Sequence, residues 1–209
     1  YTLDGTSPTE KSMLYTGPIT VSNTTCIRAA VPQDNTILQY DCAATYIFLD
    51  DVLTQPQNVV PEGFPADRSV NNHAMRYGMN QSVVNGDDRD RLIRGFNSIA
   101  TFSIVVDPKN LFDKSTGIYV NPSKDGREWE RQTMMEQINP TDAEDGFTVS
   151  CGIKIRGAFS RGLAYPKHSF HVVFRSDYGK SKLDFPLFTR PTMEIERFLS
   201  FSRIFASAA

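Results

Sequence analysis

Between residues 147 and 156, Phe147, Val149, Cys151, Ile153 and Ile155 alternate with Thr148, Ser150, Gly152, Lys154 and Arg156. A strict period of two is the signature of a half-buried β-strand. The pattern returns at 167–175, where Phe170, Val172 and Phe174 take one face and Lys167, Ser169, His171 and Arg175 the other. The connection holds Gly157, Gly162 and Pro166 and is too long for a two-residue hairpin turn, which suits a mobile functional loop. Both strands must turn their apolar residues to one core. Parity therefore sends Lys154, Arg156, Lys167, His171 and Arg175 to the opposite face, and the loop adds Arg161. Like charges facing each other across a sheet repel, so the cluster suggests an anionic partner. The alternative is an ordinary solvated outer face.

The rest of the chain reads as mainly β, in an α+β arrangement. Residues 1–48 hold short strand patterns: Tyr1 and Leu3 before the turn pair Asp4-Gly5, Ile19 and Val21 after Gly17-Pro18, Ile27 to Val31, and Tyr46 with Phe48. Strands at this spacing predict a small Ig-like β-sandwich. Residues 49–86, with Pro56, Pro61, Gly63 and Pro65, lack periodicity and predict a linker or a long ordered loop, in which His73 is a solvated histidine. Asp87 and Asp88 cap a short helix with Leu92, Ile93 and Phe96 on its apolar stripe. Ile99–Val106 reads as a buried strand, 127–138 as strand or helix with Trp129 in the core, and Ile195 to Phe205 as a terminal helix. Asp142, Glu144, Asp145 and Gly146 lack the twelve-residue EF-hand spacing and read as a polar turn, so no metal site is expected.

Composition narrows the function through its distribution. The 209 residues are 40% hydrophobic and 22% charged with a net charge of -2, ordinary for a globular protein. From Gly152 to Arg190, however, eight Lys or Arg stand against two acids, a local balance of +6. A local basic block argues for a discrete site and against a nucleic-acid coat. Cys26, Cys42 and Cys151 have no metal-ligand spacing; Cys26 and Cys42 could pair if their strands are neighbours, and Cys151 belongs to the core. No apolar run approaches the roughly 18 residues of a membrane span.

Three stretches near the start, YTLDGTSPT (1–9), LYTGPITV (14–21) and TTCIRAAV (24–31), resemble the small β-sandwich module at the C-terminus of chitobiases and β-hexosaminidases. In that family a further strand precedes the first stretch, and the catalytic acids lie in another domain. The resemblance thus implies an incomplete spacer or interaction module, with glycan binding as the alternative, and transfers no catalytic residue.

A second set, IVVDPKNLFDKSTGIYVNP (104–122), GREWERQ (126–132), CGIKIRGAFSR (151–161), PKHSFHVVFRSDYG (166–179) and KLDFPLF (182–188), resembles the CotH kinase family of spore-coat proteins and their secreted bacterial relatives. The resemblance implies an atypical kinase fold that uses ATP with Mg²⁺ or Mn²⁺ to phosphorylate serines on partner proteins. It divides the chain into a β-sandwich module (1–48), a linker or loop (49–86) and the N-terminal part of a kinase-like domain (87–209). Arg156, Gly157, Ser160, Arg161 and Lys167 match the family's basic motif and are expected to hold nucleotide phosphates, with Lys154, Ser169, His171 and Arg175 in support. The family's metal-binding and catalytic acids have no counterpart after residue 188, so the chain is expected to be a secreted fragment, cut at both ends and inactive by itself. The rival expectation is a non-enzymatic surface or matrix protein that grips glycan or an acidic polymer. A glycosidase, resting on the first module alone, lacks a supporting carboxylate pair.

Overall fold

The structure, a computed structural model, describes residues 1–33, 36–37, 42–66, 70–71, 74–139, 141, 146–165, 167–187 and 198–201. It is β-rich, as the alternating patterns predict. Its centre is a five-stranded antiparallel sheet in sequential order: β5 (Thr101–Val105), β6 (Arg131–Ile138), β7 (Phe147–Arg156), β8 (Ser169–Val173) and β9 (Phe198–Phe201). The front of the chain adds β1 (Thr25–Ala29), paired antiparallel with β4 (Cys42–Tyr46), and a short ladder of β2 (Pro32–Gln33) with β3 (Thr36–Ile37).

One face of the large sheet forms the main core. Val149, Cys151, Ile153 and Ile155 of β7 lie beside Phe170 and Val172 of β8 and Met135 of β6, all buried. Across them pack Leu111 of α4 (Pro108–Phe112), then Ile118 and Tyr119, with Trp129 at the margin. Asp107 begins α4 by accepting a hydrogen bond from the Lys109 amide at 2.9 Å, and Pro108 occupies the first turn, where its missing N–H costs nothing. The segment 49–86 joins this core through Val70 and through an aromatic chain from Tyr77 to Phe64 to Phe112 to Tyr119. It carries α1 (Leu49–Thr54) and α2 (Gln81–Val84), with Leu53 and Val84 buried. The helix expected after Asp87 and Asp88 is α3 (Arg89–Phe96), with Leu92, Ile93 and Phe96 half-buried, but the Asp88 side chain at its N-cap makes no capping hydrogen bond.

On the opposite face the β1/β4 ladder lies over β5 and β6, so two β layers meet across Cys26, Ala43, Val105 and Met134. A buried carboxylate ties the layers together. Glu136 of β6 accepts from the Thr45 amide at 3.2 Å and from Thr45 Oγ1 at 2.5 Å, and Thr45 Oγ1 also meets Ser103 Oγ at 2.7 Å. Burial pushes the Glu136 carboxyl above its ordinary range, against the opposing pull of these hydrogen bonds.

Five expectations change. Ile19 and Val21 are not in a strand: Pro18 supplies no N–H, and the segment has no ladder partner. The strand expected over Ile99–Val106 covers Thr101–Val105 and is mostly half-buried, because among the described residues β5 has only β6 beside it; Ile99, outside the strand, is exposed. The ambiguous stretch 127–138 resolves into a 3₁₀ turn, Arg127–Trp129, followed by β6. In the stretch expected to be a terminal helix, Phe198–Phe201 forms β9 on the free edge of β8; short apolar runs fit either element, and an open sheet edge decides. Cys26 faces Thr45 and Cys42 faces Ala29, three residues apart along the ladder and about 10 Å at strand rise, too far for a bridge. Both are free thiols. His73, Asp142, Glu144 and Asp145 lie outside the described residues.

Candidate anion-binding site

The β7–β8 register sends alternate residues to opposite faces, as parity requires. Ile153 and Ile155 pair with Val172 and Phe170 towards the core, while Lys154 faces His171 and Arg156 faces Ser169 on the other side. The sequence did not show that two acids from the preceding loop and turn enter this basic face. The Glu130 side chain, with no exposed surface, lies beneath it and accepts two hydrogen bonds from Arg175, Nε to Oε2 and Nη2 to Oε1, both at 2.9 Å. Tyr178 donates to the same carboxylate at 3.2 Å, and the Lys154 ammonium lies 3.8 Å away. Asp125 draws in Lys154 at 3.5 Å and Arg161 at 3.3 Å.

Burial alone would push the Glu130 carboxyl up, but the bonds and charge of Arg175, the Tyr178 hydroxyl and the charge of Lys154 outweigh it, and the net displacement is downward. Asp125 is also held low, chiefly by the Gly126 amide and then by Arg161 and Lys154. His171 is pushed down by burial and by the charges of Lys154 and Arg156. A bare cationic face is thus replaced by an interleaved network in which Lys154, Arg161 and Arg175 already have counter-ions.

The loop between β7 and β8 has a different character. Gly157 sits at φ 113°, and a Cβ there would fall 2.0 Å from Ser160 Oγ, so the turn requires glycine. Gly162, at φ -62°, has ordinary backbone. The loop is held at three points: Arg161 to Asp125, Arg161 Nη1 to the Lys124 carbonyl at 3.4 Å, and His168 Nδ1 against the Ser160 carbonyl at 3.2 Å. His168 is buried against the Tyr119 ring, 5.4 Å between centroids, and burial pushes its pKa down. Sequence reasoning passed over it. Its signal was a polar residue at an in-facing position of the same alternation, just before Phe170.

Arg156 and Lys167 are exposed at the two ends of this loop and have no acid partner among the described residues. Ser169 is half-buried between them and the core. Arg175 stands apart: past the end of β8, it lines a cleft of about 320 Å³ with Arg127, Ser176, Asp177, Ser181 and Lys182. Tyr178 folds back over β7 beside it, and a Cβ on Gly152 would lie 2.5 Å from the ring. Glycine at that strand position is what lets the ring, and with it the Tyr178 hydroxyl, reach Glu130.

The family model of the chitobiase/beta-hexosaminidase C-terminal domain matches residues 1–37. The front of the chain is a module of that type. The match takes in β1 and ends before β4, the ladder partner of β1. Searches of curated proteins and of solved structures find no match to the chain. The chitobiase-type module touches the large sheet through Cys26, near Glu136, on the same outer face as the basic network but over β5 and β6 instead of β7 and β8. Among the described residues no helix is long and apolar enough to cross a membrane.

Proposed function

We propose that the chain serves in a CotH-type, secreted kinase-like protein as the part that receives nucleotide phosphates, the protein as a whole transferring phosphate from ATP to serines of a partner. The carrying observation is the β7–β8 loop: two exposed cations, Arg156 and Lys167, without counter-ions among the described residues, flank a glycine turn with the Ser160 hydroxyl folded over it. Phosphoryl transfer depends on positioning and charge neutralisation, and cations beside a glycine turn suit a triphosphate. Arg161 and Lys154 would act from behind, since Asp125 already engages both.

The loop's cations suit the phosphates of ATP, and no metal ligand is assigned: the described residues contain no group of three or more His, Cys, Asp or Glu able to hold a cation. These residues are therefore assigned phosphate binding alone, the transfer step belonging to the protein as a whole. Thermal unfolding with ATP and Mn²⁺, against tripolyphosphate, tests it. Ligand at 100 times its Kd adds about 2.7 kcal/mol, and the Arg156→Ala, Lys167→Ala variant should lose that gain. An equal gain in wild type and variant sinks the reading.

A second reading, a non-enzymatic surface or matrix protein, draws on the chitobiase-type module at residues 1–37. There the basic face would hold an acidic polymer, and the module a glycan. Binding that falls steeply with salt and ignores the identity of the polyanion would favour it.

A further inference from the structure

The cleft at the end of β8 has a chemistry of its own. Three cations line it, Arg127, Arg175 and Lys182, together with the hydroxyls of Ser176 and Ser181. Among the described residues its one lining acid, Asp177, is ion-paired with Arg127. Arg175 is held rigidly from below, because Glu130 fixes two of its N–H groups and is itself fixed by Tyr178. Lys182 is exposed and makes no ion pair among the described residues. With Asp177 and Glu130 set against the three cations, the cleft retains one positive charge, carried by Lys182, beside a pre-oriented guanidinium.

We propose that this cleft, between Arg127 and the 175–182 turn, is a second anion site that binds a small phosphate-class oxyanion, whether free or carried as a phosphate monoester on a partner. The volume of about 320 Å³ lies at the lower end of small-ligand sites, larger than a phosphoryl group needs by itself, so a monoester with a short linker fits as well as the free ion. A planar guanidinium favours bidentate contact with tetrahedral oxyanions, the ammonium adds charge, and the two hydroxyls can donate to the remaining oxygens. Arg156 and Lys167 have no part in the cleft, so the site stands or falls apart from the nucleotide reading.

The test is calorimetric titration of the whole chain with inorganic phosphate, with O-phosphoserine and with chloride at matched ionic strength. Lys182→Ala, at an exposed position, and Ser181→Ala leave the Glu130–Arg175 pair intact. Saturable binding of phosphate or phosphoserine but not chloride, weakened about tenfold or more by Lys182→Ala and unchanged by Arg156→Ala with Lys167→Ala, supports the site. Tighter phosphoserine than phosphate identifies the monoester as the better ligand. Heat indistinguishable from chloride, or equal affinity in wild type and Lys182→Ala, overturns the proposal. Loss of binding only in the Arg156→Ala, Lys167→Ala variant would assign the anion to the loop and overturn it too.

Discussion

Replacing Arg175 with alanine removes the guanidinium from a carboxylate that has nowhere to go. The Glu130 side chain has no exposed surface, whereas that of Arg175 is 38% exposed. Breaking a fully buried pair costs about 3–5 kcal/mol, and losing a surface pair about 0.2–1 kcal/mol. With one partner buried and the other partly screened by water, Arg175→Ala should cost about 2 kcal/mol at neutral pH. For a protein of this size that is a fall of about 4–8 °C in Tm. The pH dependence separates charge from packing. Because Glu130 is held below its ordinary value in the fold, its contribution is present above the usual carboxylate range and is lost as pH falls through the lowered value. Without Arg175, burial governs Glu130 and it takes up a proton more readily. The stability gap between variant and wild type, measured by urea unfolding, should therefore shrink towards about pH 3, below the ordinary glutamate pKa. A gap of the same size at both ends of the pH range would assign the loss to the aliphatic stem of Arg175, and a gap under about 0.5 kcal/mol at pH 7 would refute the buried-pair argument altogether.

Three further outcomes follow from the same geometry. Glu136 is raised by burial, so the stability tied to it is full below its ordinary value and declines as pH rises through the raised one; Glu136→Gln should flatten that decline above about pH 4 in urea titrations. Gly152→Ala should cost about 1–3 kcal/mol by driving a methyl into the Tyr178 ring, and the penalty should fall in a Tyr178→Ala background, a coupling readable in a double-mutant cycle. In a thiol-reagent assay of the native protein Cys42 should react first and Cys26 more slowly, with burial raising its pKa, while Cys151, buried and pushed up to about 12, should react only on unfolding.

Much of the central sheet was legible because alternation has only one good explanation. Phe147 to Ile155 and Phe170 to Phe174 each supply a face that must be buried, and once both share a core the opposite placement of Lys154, Arg156 and His171 is a matter of parity. Local chemistry was also readable, as in the Asp107-Pro108 helix start and the core position of Cys151. Tertiary structure decided what lies against each face. Glu130 and Asp125 sit far along the chain from Arg175 and Arg161, and no local pattern announces that a turn before β6 will deliver them beneath and beside the cations. Register set the three-residue offset that keeps Cys26 and Cys42 apart, and an open strand edge, more than residue preference, made Phe198–Phe201 a strand. The periodicity of a chain encodes which side of an element is wet; which charges meet on the wet side depends on how distant segments fold back, and here that turned one expected basic face into a paired network, a loop with two cations unpaired among the described residues and a separate cleft.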